Sequence, residues 1–355
     1  MARRGRRGRR GRFGGPTARC GAAAAAALLL AGCSSGSGGG SGGGRFGGST
    51  GAAGAVPDTV AAALSAVPTT GWDTGYLEFG DVAAITALDN GSPGSGPAQA
   101  YIGIGESSLA ETGDVAVNVL GFDPLKAKAA VTVGRPPTQA AVLYGGYDAS
   151  AIGKKLTAAG FKEKGTSGGG TLYALGADNQ LDPNNPTDDP QLNVLWVSST
   201  RIVYGMSTAD VDTLATPTGA TLASNTQIEA LAQCLGAAKG AVIGGGSTEK
   251  GSSLVAIGLT GTSASDATEE VCVLAKDSAT AQAIGSSFAQ KIRSGRSQTR
   301  DEPWSQLLTD PQSSVVSSSP AVVRLTAQPV SGQHPGILLE AYFGPQTDFS
   351  TLITP

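Results

Sequence analysis

Side chains able to carry acid–base, nucleophilic or metal chemistry are few in this chain, and they are scattered. Its one histidine, His334, lies in Ser331-Gly332-Gln333-His334-Pro335-Gly336, where glycine and proline predict a turn between two strands. General-base chemistry near neutrality runs most readily through histidine, and a solvated turn gives it no partner, so no catalytic role is expected for His334. One histidine and the few cysteines cannot fill a histidine/cysteine zinc site. Ser247-Thr248-Glu249-Lys250 fits Ser-x-x-Lys but lacks the companion motifs that give it meaning. Gly153-Lys154 has neither the preceding glycine nor the following hydroxyl of a phosphate-binding loop. Two patches remain. Asp178, Asn179, Asp182, Asn184, Asn185, Asp188 and Asp189 offer hard oxygen ligands suited to calcium, although an exposed acidic turn explains them equally well. Lys291, Arg293, Arg296 and Arg300 form a basic cluster at a helix end, where cations complement the dipole. A solvated end is the simpler reading of that cluster, and a phosphate-rich envelope polymer is the sharper one. The expectation is a chain with no catalytic, cofactor-binding or metal-ligating residue.

The cysteines carry more information. Met1 to Arg19 holds eight arginines and no acid, and Gly21 to Gly32 is an alanine- and leucine-rich run. The run is too short to span a bilayer core, which needs about 20 apolar residues. Leu30-Ala31-Gly32-Cys33 follows, and then a glycine- and serine-rich stretch. A basic leader, a short apolar segment and small residues before the cut are the parts of a signal peptide. Leu30-Ala31-Gly32-Cys33 resembles the lipobox of bacterial lipoproteins. The resemblance implies cleavage before Cys33, a diacylglyceryl group on its thiol, and a lipid-anchored body outside the cytoplasm. Arg9-Arg10-Gly11-Arg12-Phe13 is also similar to a twin-arginine export signal with its phenylalanine one place late, which leaves the export route open. Cys20 leaves with the leader. The remaining pair, Cys234 and Cys272, is expected to form a disulfide in an oxidising compartment.

Removing the leader shifts the charge balance. The 25 basic residues less the leader's eight leave 17 against 28 acidic, a formal net of −11. An acidic body argues against nucleic acid and anionic lipid as general partners. The domains expected are a signal peptide over 1–32, a flexible linker over 33–56, a first α+β domain over 57–219 and a second over 220–355. The linker composition gives a coil reaching about 25 Å from the membrane.

Within the first domain, the pattern predicts a short helix at Val60 to Leu64 and strands at Gly75 to Phe79 and Ala100 to Ile104. A helix capped by Asp123 and running to Val131 is expected next, stopped by Gly134-Arg135-Pro136-Pro137. There follow a strand at Ala140 to Tyr144, a helix from Asp148 to Gly160, a hairpin from Leu192 to Ser198 and Arg201 to Gly205, and a helix opening at Thr208. The second domain is expected to repeat this order. After the amphipathic segment Ile228 to Leu235 come strands at Leu254 to Leu259 and Glu270 to Ala275, and a helix from Asp277 to Gly295. A strand pair at Ala321 to Ala327 and Ile337 to Phe343 and a closing helix at Thr347 to Ile353 complete it. The expected fold is α+β, two related domains, each an antiparallel sheet with packed helices.

Gly121-Phe122-Asp123-Pro124, Gly134-Arg135-Pro136-Pro137 and Tyr147-Asp148 with the helix end Gly160-Phe161 resemble lipoproteins of actinobacteria, a resemblance that implies no activity. The function expected is a membrane-tethered, non-enzymatic module that binds an envelope protein, polymer or lipid. One alternative is a solute-binding subunit of a transporter, which would need an interdomain cleft lined by aromatics in a chain that is 5% aromatic. The other is a hydrolase, which would need a buried pair of perturbed carboxylates.

Overall fold

Alternating apolar residues on the strands sort the side chains onto two sides of one large antiparallel sheet. The computed structural model describes residues 55–355 except 71, 73–74, 90–95, 107–108, 110–112, 181–184, 188, 247–252, 264 and 345–346. Cys33, the leader, most of the linker, the Ser247–Lys250 motif and part of the acidic loop therefore lie outside the described residues. The first half contains α1 (Val60–Ala66), β1 (Leu77–Gly80) and α2 (Val82–Leu88), then α3 (Gly113–Val115), which runs on into a π-helical turn at Ala116–Leu120. It continues with β2 (Ala129–Arg135), β3 (Thr138–Tyr144), α4 (Ala149–Ala158), β4 (Lys162–Ser167) and β5 (Gly170–Ala174), and ends with β6 (Val194–Val197), β7 (Arg201–Gly205) and α5 (Thr208–Ala215). The second half contains α6 (Thr226–Leu235), β8 (Gly240–Gly246), β9 (Ser253–Thr260), β10 (Thr268–Ala275) and α7 (Ser278–Ser294). A two-residue ladder of β11 (Arg296–Ser297) and β12 (Glu302–Pro303) leads to β13 (Leu308–Ser318), β14 (Ala321–Pro329), α8 (Ile337–Phe343) and α9 (Thr347–Ile353).

Twelve strands join in the order β13-β14-β10-β9-β8-β1-β2-β3-β7-β6-β5-β4. The two halves meet at β1, which pairs antiparallel with β2 on one side and β8 on the other. One side of the sheet carries a single apolar cluster in which Val60, Val211, Leu231 and Leu235 of α1, α5 and α6 pack on Leu77, Phe79, Val131, Val142 and Ile243. The opposite side carries two clusters. Over β8 to β10 and β14, Ile284, Phe288, Leu338 and Leu352 of α7, α8 and α9 pack on Val242, Ile257 and Val323. Over β2, β3, β6 and β7, Leu120, Phe122, Ile152 and Leu156 pack on Ala130, Leu143, Leu195 and Tyr204.

Local chemistry explains most elements. Asp148 accepts from the Ala151 amide and caps α4, Ser207 caps α5, Asn225 caps α6 and Asp277 caps α7. Four expectations need correction. Ala100 to Ile104 is not a strand; Gln99–Tyr101 is a 3-10 turn whose Tyr101 packs into the apolar cluster over β8 to β10 while its hydroxyl donates to Glu269. Asp123 caps only the turn Pro124–Lys126. The alternating run from Ala129 then pairs on both sides as β2, and Pro136-Pro137 turns it into β3. Ile337–Phe343 is a helix, because the buried Glu269 carboxylate accepts from the Leu338 and Leu339 amides and satisfies its first turn. His334 consequently lies exposed in a loop between β14 and α8, not between two strands. The partner of β14 is β13, whose polar sequence hides a strand. The polar or glycine-rich strands β4, β5 and β8 give equally little alternation to read.

Cys234 and Cys272 form a disulfide with Cα atoms 6.1 Å apart, tying α6 to β10. Beside it the Arg324 guanidinium donates to the Cys234 carbonyl and lies 3.7 Å from the Glu270 carboxylate. Closing a loop with a sequence separation of 38 contributes about 3 to 4 kcal/mol by the chain-entropy relation. Replacing both cysteines with alanine is expected to lower unfolding stability by about that amount, read from denaturant titration. A change near zero would show that the bridge does not constrain the unfolded chain.

Candidate functional site

The gap between the two apolar clusters on the second side of the sheet is filled by polar groups. At the sheet centre β1 and β2 present Glu78 and Thr132 to that side, between Leu77 and Phe79 and between Val131 and Val133, which face the other, and Tyr76, just before β1, joins them there. Across them runs the turn 102–106. The Gly105 amide donates to Glu78 at 3.0 Å, and the Thr132 hydroxyl donates to the Gly105 carbonyl at 2.8 Å. This close approach needs glycine twice. A Cβ at Gly80 would collide with the Ile104 carbonyl, and Gly105, at φ +87, lies against the Ala130 carbonyl. The next residue, Glu106, accepts the Tyr204 hydroxyl on its backbone oxygen.

Two buried carboxyls therefore sit in adjoining positions, in different surroundings. Glu78 accepts the Tyr76 hydroxyl and the Gly105 amide. The Arg135 guanidinium lies 4.5 Å from the centre of the Tyr76 ring. Burial pushes the Glu78 carboxyl up, while Tyr76, Gly105 and Arg135 pull it back toward ionisation. Tyr76 is itself raised, by burial first and then by Glu78, so its proton stays on the phenol. Glu106 is 0% exposed, and among the described residues neither carboxyl oxygen has a hydrogen-bond partner. Burial, reinforced by the Asp123 charge, pushes it up to about 7.

Other buried acids hold chain segments in place. Glu269 gathers the Tyr101 hydroxyl and two amides of α8. Asp89 accepts the Ala98 amide at 3.0 Å. Asp348 accepts the Ser297 hydroxyl and the amides of Gln298 and Thr299, fastening α9 to the β11–β12 loop.

The residues singled out from sequence do not gather at this seam. Lys291 donates to the carbonyls of Thr351 and Thr354, Arg296 pairs with Asp301 at 2.8 Å, and Arg300 pairs with Glu340. Three of the four clustered cations thus fasten the segment 351–354, a loop and α8. In the acidic loop Asp178 accepts from Thr208, Asn185 donates to the Asp189 carbonyl, and Asp189 caps Gln191. Among the described residues no group of three metal-ligating side chains is found. An open groove of about 520 Å³ lies elsewhere, at the ends of β5 and β6, lined by Thr166, Ser167, Thr171, Ser198 and Ser199. Its lining is uncharged, so a partner there would be held by hydrogen bonds.

Glu78 and Glu106 escaped the sequence reading because each is a lone acid in an apolar or small-residue context. A carboxylate inside the strand Leu77-Glu78-Phe79-Gly80 was the available signal. No protein-family model, curated protein or solved structure matches this chain.

Tyr76→Phe removes one of the donors that favour the ionised Glu78. It is expected to destabilise by about 1 to 2 kcal/mol, with a deficit that grows as pH rises from 5 to 8. The sign follows from the raised carboxyl. Stability is fully present below its ordinary value and is lost as pH rises through the folded value, which this substitution raises further. Urea unfolding at both pH values measures it, and a deficit independent of pH would contradict the role given to the phenol.

Proposed function

We propose that the chain is a lipid-anchored lipoprotein whose body, 57–355, acts outside the cytoplasm as a non-enzymatic binding module of the cell envelope. The observation carrying this reading is Leu30-Ala31-Gly32-Cys33, set between a short apolar run and a glycine/serine linker. The Cys234–Cys272 disulfide supports export, since such bridges persist in oxidising compartments. Support for binding over catalysis comes from how the buried acids are used. Glu78, Glu269 and Asp348 accept hydrogen bonds that fix segments to one another, and Glu106 is buried from solvent. A hydrolytic carboxyl has to reach its substrate.

The order of strands also supports two related halves. In the first, β1-β2-β3 precede α4 and the returning pair β6-β7 lies beside β3; in the second, β8-β9-β10 precede α7 and β13-β14 lies beside β10. In this reading the β4–β5 hairpin is an addition to the first half, and the antiparallel β1–β8 pair lies where the two units meet.

Metabolic labelling with a fatty acid tests the anchor. The wild-type protein is expected to carry label and to sediment with membranes. Cys33→Ala is expected to lose the label and to appear unprocessed or soluble. An unlabelled wild type would remove the lipid anchor from this account.

A further inference from the structure

Among the acids of the sheet's second side, Glu106 has the least support. Among the described residues both of its carboxyl oxygens are buried without a hydrogen-bond partner, and so is the nearby Tyr147 hydroxyl. The charged and titratable groups facing it give no compensation. Asp123, on the turn after the π-helical stretch, is of like charge. Tyr147, in the loop before α4, is a phenol whose proton burial and Glu106 hold in place. The hydroxyl of Tyr204 on β7 is engaged by the Glu106 carbonyl, and Asp189 and Glu78 also act on that phenol. Lys155 on α4, whose side chain lies against Gly121 of the cover, donates its ammonium to the carbonyls of Val117 and Asn118. Directly beneath lie apolar side chains: Leu120 and Phe122 of the cover, on Ala130, Leu143 and Tyr204 of the sheet.

We propose that Glu106 is a proton-operated latch: protonated, it lets the piece 113–126 seat on β2, β3 and β7; ionised, it releases that piece and bares the apolar surface beneath. An ionised carboxylate with no donor is far costlier to bury than a neutral one, so the seated form takes up the proton more readily than the released form. Seating is complete below the ordinary carboxylate range and is lost as pH rises through about 7. The separation between these values limits the shift in the seated-to-released ratio to on the order of 100-fold. In an envelope protein this couples external pH to the exposure of a hydrophobic surface.

Backbone hydrogen exchange of the full chain tests the latch, at pH 6 and pH 8 with times scaled for the intrinsic rate. The informative amides are Gly121 and Ala127, which donate to Ala116 and Pro124 inside the cover. Wild type is expected to lose about tenfold or more of their protection at pH 8, while amides of β10 and β14 keep theirs. Glu106→Gln, neutral at both pH values, is expected to hold the same protection throughout. Asp123→Asn, which removes the neighbouring charge and can still cap Leu125, lowers the seated carboxyl's value and is expected to lessen the loss of protection between pH 6 and pH 8. Equal wild-type protection at the two pH values, a Glu106→Gln variant that opens in parallel with wild type, or a loss in Asp123→Asn as large as in wild type would each overturn the latch.

Discussion

The four residues of β1 hold the sheet together. Leu77 to Gly80 pair with Val133 to Ala130 on one side and with Ile243 to Gly240 on the other, so each half of the sheet reaches the other only through this strand. Its side chains are divided by the pleat. Leu77 and Phe79 enter the apolar cluster shared by α1, α5 and α6, whereas Glu78 and Gly80 receive the turn that crosses the opposite side. Backbone pairing, core packing and the polar seam thus act on the same short segment.

On this protein's second side, buried acids add to the two apolar clusters contacts that fix chain segments. A carboxylate accepting amides and phenols fixes position and direction together, which apolar packing does less sharply. Glu269 starts α8, Asp348 fastens α9, and Glu78 pins the turn at Gly105. Such arrangements are costly to break, because a buried charge deprived of its partners loses far more than the net worth of the bond. Glu106 lies one residue beyond that pinned turn and lacks this support, which makes it sensitive to protons where its neighbours are structural.

Much of the architecture was legible in the sequence. Capped helices with apolar periodicity, α4 and α7 above all, announce themselves through Asp148 and Asp277, and the alternating strands β3, β7 and β10 are equally plain. The errors share a cause. Ile337–Phe343 has a strand-like composition, but its first-turn amides find an acid 69 positions away. Asp123-Pro124 carries a genuine cap signal that serves only one turn before pairing with β1 and β3 takes over. β13 and β4 are polar because they stand at the sheet's edges with little burial, so no apolar alternation marks them. The polar seam was illegible for a deeper reason: Glu78, Gly105 and Glu106 are brought together by a crossing of the chain that no local pattern encodes.

The joining of the halves has a further consequence for the state of the protein in solution. Two separate sheets would present four open edges, and this one presents two, β4 and β13. Of these, β4 carries Lys162, Glu163 and Lys164, charges that discourage a foreign strand, and β13 is interrupted by two bulges and Pro311. The strands β1 and β8 have no such protection, since each is enclosed by the other. The exposed connection around Thr218 and Gly219 is therefore a point of vulnerability to proteolysis. A nick there followed by separation of the halves would turn two buried strands into templates for aggregation.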